Sequence, residues 1–173
     1  MKKILSIILL SIIIIGSNIS EIQCEEYSYS EINIEEYKTI EEELKILPKK
    51  LLQDLNQVGV TIDIDDKFLE NSKGKYAGAY FWDSKEIILD NAPEEIKHAT
   101  IHEIGHALDG IWALNDNDNI KHSYLLSEIN FDSYYYSNIK EYVAQSISEY
   151  YKGTLKKDTI IYKELHDIFE VYV

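Results

Sequence analysis

Residues 102–106 read His-Glu-Ile-Gly-His. On a helix, His102 and His106 lie one turn apart on one face, where two imidazoles can grip a single metal ion. Glu103 sits one step round, awkward as a ligand beside His102 but well placed to take a proton. Two histidines for zinc, with a glutamate as general base toward a zinc-activated water, is the chemistry this spacing serves. The pentapeptide also arises by chance, so the surroundings must complete a site.

A catalytic zinc has three protein ligands and one position for water or substrate. A third histidine in the metzincin pattern would need Gly at 109 and His at 112; the chain has Asp109 and Trp112. A Met-turn is impossible, because the only Met is Met1. The remaining source is a Glu from a later helix. Glu141 has the best context: it edges an apolar stripe made by Ile139, Tyr142, Val143 and Ile147. Glu128, in a weak element, and Glu149, near a helix end, are its rivals. Asp109 is read either as an acceptor for a ligand imidazole or as a plain helix-surface residue. His98 falls off the metal face, and His122 and His166 read as surface residues without a named partner. Gly105 inside the helix costs about 1 kcal/mol relative to Ala, which points to tight packing there.

The elements that must position these residues follow from periodicity and punctuation. Tyr37, Ile40, Leu44 and Leu47 recur at helical steps. Pro48 ends that helix and opens another, with Leu51, Leu52, Leu55 and Val58 as its stripe and Gly59 closing it. Residues 60–64 alternate as a strand. Residues 71–75 are a turn-rich loop. Residues 76–82 and 86–89 read as a hairpin about Asp83 and Ser84. Asp90 and Asn91 offer an N-cap to a long helix that carries the motif to about Ala113, with Ile96, Ala99, Ile101, Ile104, Leu108 and Ile111 inward. Residues 115–119 are a polar break, whose Asp116 and Asp118 lack a complete calcium-loop spacing. A short helix is expected over 123–131, a firm one over 138–152 ended by Gly153, and a terminal one over 157–171 with Ile161, Leu165, Ile168 and Phe169 inward.

The chain of 173 residues starts Met1-Lys2-Lys3, continues with an apolar run over 4–15, and then turns small and polar. That order describes a secretory signal peptide, residues 1–24, cleaved between about 17 and 24 and too short to span a membrane comfortably. Residues 25–34 are a polar, acidic, flexible lead-in, and 35–173 form one domain, a size that supports a real core. The expectation is a secreted protein; a lipid- or signal-anchored surface form is the alternative, although the residues before Cys24 lack the small side chains of a lipidation signal. A single Cys allows no internal disulfide. All 17 basic residues are Lys, the usage of an AT-rich genome, and without residues 1–24 the chain has 15 Lys against 30 acids, a charge of −15. Such a surface repels nucleic acid and anionic membrane and favours a basic peptide.

Taken together, the sequence resembles the catalytic domain of anthrax lethal factor and the secreted bacterial Pro-Pro endopeptidases, gluzincin-type zinc metallopeptidases. The matching pieces are 76–81, Tyr-Ala-Gly-Ala-Tyr-Phe; 85–89, Lys-Glu-Ile-Ile-Leu; 101–109, Ile-His-Glu-Ile-Gly-His-Ala-Leu-Asp; 141–147, Glu-Tyr-Val-Ala-Gln-Ser-Ile; and the final helix. They span roughly residues 35–173. The resemblance implies an α+β, zincin-like fold with a small, mostly antiparallel sheet on several helices. It implies one zinc per chain held by His102, His106 and Glu141, with Glu103 as general base. It implies a tyrosine seven residues before Glu141 that steadies the oxyanion, hence Tyr134, with Tyr135 and Tyr136 as neighbours one and two positions away. It also implies an acid at 145, where this chain has Gln145, whose oxygen still accepts an imidazole N–H but without a full charge. The substrate would lie extended along a sheet edge beside 76–81, on a monomer. A catalytically inactive binding or toxin-accessory module is the competing function.

Overall fold

The computed structural model describes residues 34–65 and 77–172. The expected signal segment 1–24, most of the expected lead-in and the expected loop 71–75 lie outside the described residues. Among the described residues, six helices surround a three-stranded sheet. These are α1 (Ile34–Leu44), α2 (Lys49–Gln57), α3 (Pro93–Trp112), α4 (Asp118–Leu125), α5 (Ile139–Lys152) and α6 (Ile160–Phe169), with β1 (Thr61–Ile64), β2 (Gly78–Phe81) and β3 (Glu86–Leu89). Single 3-10 turns cover Leu114–Asp116, Ser133–Tyr136 and Glu170–Tyr172.

The expected α+β arrangement is present, but the sheet is mixed. Its order is β1-β3-β2: β2 pairs antiparallel with β3 as the expected hairpin, whereas β1 runs parallel to β3. The central strand therefore buries Ile87 and Leu89, while β2 stays at an edge of the described sheet. The hairpin closes through Lys85 at φ 57.

Helix α3 packs against α1, β2, β3 and α5. Its burial explains its sequence: Ile96, Ala99, Ile101, Ile104, Ala107 and Leu108 are all in the core. Ile111, expected inward, is only part-buried. The stripes of α1 and α2 are also as expected, except that α1 stops at Leu44, which leaves the buried Leu47 beyond its end, and that Val58 is the exposed C-cap of α2. The last 3-10 turn folds back so that Tyr172 stacks on Trp112 at 5.8 Å, tying the chain end to the end of α3.

Three boundaries differ from the sequence reading. Ala92, not Asp90 or Asn91, occupies the N-cap of α3; Asp90 instead accepts the Ala92 N–H at 2.9 Å, and Pro93 begins the helix. The break at 115–119 is short, because Asn117 caps α4 by accepting the amides of Asn119 and Ile120. That helix starts at Asp118 and ends at Leu125, where a later one over 123–131 was expected. The terminal helix starts at Ile160 behind the Thr159 cap, later than 157.

Candidate metal centre

His102 and His106 face α5 from the middle of α3, their rings 4.8 Å apart and perpendicular, at 88°. Glu141 reaches them from the first turn of α5. Its Oε2 lies 3.2 Å from His102 Nε2 and its Oε1 3.5 Å from His106 Nε2. The backbone holds it there: Asn138 caps α5 and its Oδ1 accepts the amides of Lys140 and Glu141 at 2.9 and 3.1 Å. The three ligand atoms lie within 4.8 Å of one another. Tetrahedral zinc with bonds of about 2.0–2.1 Å separates its ligands by roughly 3.3 Å, so two imidazole nitrogens and a carboxylate at these spacings fit that ion. Burial alone would raise the Glu141 carboxyl, but its contacts with His102 and His106 prevail and hold it well below the usual carboxylate range. That negative charge is what a cation site needs.

Two close approaches assemble the centre. A Cβ on Gly105 would stand 2.7 Å from the backbone of Ala144, so this glycine lets α3 and α5 touch between the two ligand sets. A Cβ on Gly78 would meet Leu89 at 2.8 Å and the Cγ of Glu103 at 3.1 Å, so β2 lies directly over Glu103. Glu103 is buried. Burial raises its carboxyl to about 7; His102 lowers it, Glu141 raises it, and the Tyr80 backbone hydrogen bond lowers it.

The tyrosine triplet lies in the 3-10 turn that precedes α5. Tyr134 is 45% exposed and packs edge-on against Tyr135. Tyr135 is the member whose ring contacts His102, at 5.6 Å. Its hydroxyl is pushed up by burial first and then by Asp132, Glu141 and Glu149. Tyr136 points inward, donating to the Ile129 carbonyl and packing on Phe131 and Tyr142.

The other candidates find structural partners. Glu128 joins no metal cluster among the described residues: its carboxylate accepts the Ile160 N–H at 2.8 Å and the Ser123 hydroxyl at 2.6 Å, clamping α6 to α4. Asp109 is neither on the surface nor hydrogen-bonded to an imidazole. It is fully buried and accepts the Asn115 amide at 2.6 Å and the Asn115 side chain at 2.9 Å. That clasp turns the chain back where Ala113 adopts a left-handed φ of 52. His98 and His122 are exposed. His166 is exposed as well, but has a partner in the Tyr150 hydroxyl at 3.1 Å. Gln145 places Oε1 3.2 Å from His102 Nδ1.

No family model and no curated protein matches this chain. Among solved structures, the PRO-PRO endopeptidase (PPEP-2) from Paenibacillus alvei matches over 82% of this chain and 95% of its own, with a TM-score of 0.60 and 17% identity. The fold is zincin-like. The identity is low, so the likeness is one of architecture.

Proposed function

We propose that this protein is a secreted, zinc-dependent endopeptidase related to the lethal factor-like Pro-Pro endopeptidases. One observation carries the reading: His102, His106 and Glu141 converge at zinc spacing beside a buried Glu103, beneath an edge strand. The fold shared with a PRO-PRO endopeptidase supports a peptide as the substrate class. The basic and apolar opening of the chain supports export.

When bound, zinc supplies Lewis acidity, polarising a carbonyl and bringing water toward a pKa of roughly 7. Glu103 takes the proton of the attacking water and returns it to the leaving amine. Burial lifts its carboxyl toward neutrality in the metal-free protein, and a cation bound beside it would draw it back toward the ionised form that accepts a proton. Tyr134, on the exposed side of its turn, donates its hydroxyl to the developing oxyanion, while Tyr135 supports the His102 ring. The substrate extends along β2, where Gly78 and Ala79 permit close backbone approach.

The test is cleavage of a peptide library by the wild type and by Glu103→Ala, with zinc content measured on both. Cleavage by the wild type, abolished in a variant that still holds zinc, is the expected result. Zinc without cleavage by the wild type would instead make the domain a binding module.

A further inference from the structure

Helix α5 presents Glu141, Gln145 and Glu149 at successive steps of four, hence as one stripe. The stripe grips His102 on both ring nitrogens: Glu141 Oε2 lies 3.2 Å from Nε2, and Gln145 Oε1 lies 3.2 Å from Nδ1. One turn further on, the Gln145 amide donates from Nε2 to Glu149 Oε1 at 2.9 Å. The other oxygen of Glu149 accepts the Thr154 hydroxyl beyond the helix end.

The chemistry of these groups orders the chain. An ionised carboxylate only accepts, so the NH2 end of Gln145 must face Glu149. Its oxygen must then face His102, and that oxygen only accepts. Nδ1 of His102 is therefore the N–H side of the ring, which leaves the Nε2 lone pair available to a metal ion held between it and Glu141. Without Glu149 nothing in this chain of bonds fixes the amide; a flipped Gln145 would present NH2 to Nδ1 and favour the wrong tautomer. The amide also transmits polarisation, since donating to a carboxylate makes its oxygen a stronger acceptor.

We infer that Gln145 and Glu149 act as one positioning unit, an amide relay through which the Glu149 carboxylate fixes the tautomer and basicity of the ligand His102. Neither residue belongs to the candidate ligand group of His102, His106 and Glu141. The inference rests on the proposed zinc site.

Its test is zinc affinity by chelator competition, together with the visible spectrum of the Co²⁺-loaded full chain. Glu149→Gln is expected to weaken zinc about tenfold, the low end of the roughly 10–100-fold loss typical of a residue that supports a ligand, and to shift the Co²⁺ bands. The cost should vanish in a Gln145→Glu background, where a carboxylate meets His102 directly. Thr154→Val, which loosens the same helix end but spares the Gln145 contact, should leave zinc affinity within about twofold. An unchanged affinity and spectrum in Glu149→Gln would overturn the relay. So would an equal cost in both backgrounds, which signals charge acting through space, or a loss in Thr154→Val as large as that in Glu149→Gln. Failure of the wild type to hold zinc would sink the metal site and the relay together; failure of the variants alone sinks only the relay.

Discussion

A methyl group on Gly105 has nowhere to go. Its carbon would overlap the backbone of Ala144, which cannot swing aside as a side chain does. Gly105→Ala should therefore be destabilising although Ala is about 1 kcal/mol better than Gly in a helix. The net loss expected from urea unfolding is at the upper end of the roughly 1–3 kcal/mol typical of overpacking. Zinc affinity should fall with it, because the shift separates His102 and His106 from Glu141. Tyr134→Phe should lower kcat about 10²-fold with little change in KM, as for loss of one oxyanion donor. Tyr135→Phe, which keeps the ring against His102, should change kcat much less; a reversed order of the two would assign the donor to Tyr135. The sequence singled out His102, His106 and Glu141, which the structure brings together, because helical spacing and an apolar stripe are local signals. It could not sort the triplet: within one 3-10 turn adjacent rings point in different directions, and only packing on Phe131 and Tyr142 shows that Tyr136 turns inward. Nor could it see that Asp109 is a clasp for Asn115, since that contact depends on a left-handed Ala113.

The centre stands on two helices and one strand, and its stability is set at their ends. Asn138 caps α5 within one turn of Glu141. Asn138→Ala should cost about 1 kcal/mol in thermal or urea unfolding. It should also weaken zinc, because the fraying turn is the one that carries the ligand. Glu128→Ala offers the contrast. It removes the acceptor shared by the Ile160 amide and the Ser123 hydroxyl, and Ser123 in turn accepts from Tyr142 at 2.7 Å. A stability loss of about 1–3 kcal/mol is expected, with kcat/KM of the folded protein unchanged. The helices α1, α2, α3 and α5 were legible because their apolar residues recur at three and four and their ends carry Pro48, Pro93, Asn138 or Gly153. Helix α4 was misplaced because Asn117 looks like part of a polar loop until its side chain is seen to accept two amides. The parallel pairing of β1 with β3 was hidden because strand alternation reports burial and says nothing of direction.

For the whole molecule, the proposed metal site couples to folding. Folding brings His102, His106 and Glu141 together, so a zinc ion held there would bind the native state and stabilise it by mass action. Chelation should lower the Tm by several degrees, and the drop should disappear in His102→Ala, checked by differential scanning fluorimetry. The formal charge of −14 adds a long-range field. Cleavage of a Lys-rich peptide should therefore fall with added salt more steeply than that of a neutral peptide. Among the described residues no helix is long and apolar enough to cross a membrane. Whether His102, His106 and Glu141 together hold one zinc can be read from X-ray absorption at the zinc edge on purified protein, with metal content measured on the same sample. One zinc per chain is expected, with two imidazole nitrogens and carboxylate oxygen in its shell, lost in both His102→Ala and Glu141→Ala. Protein that retains no zinc at neutral pH, or a shell that survives either substitution, would rule out this three-residue site.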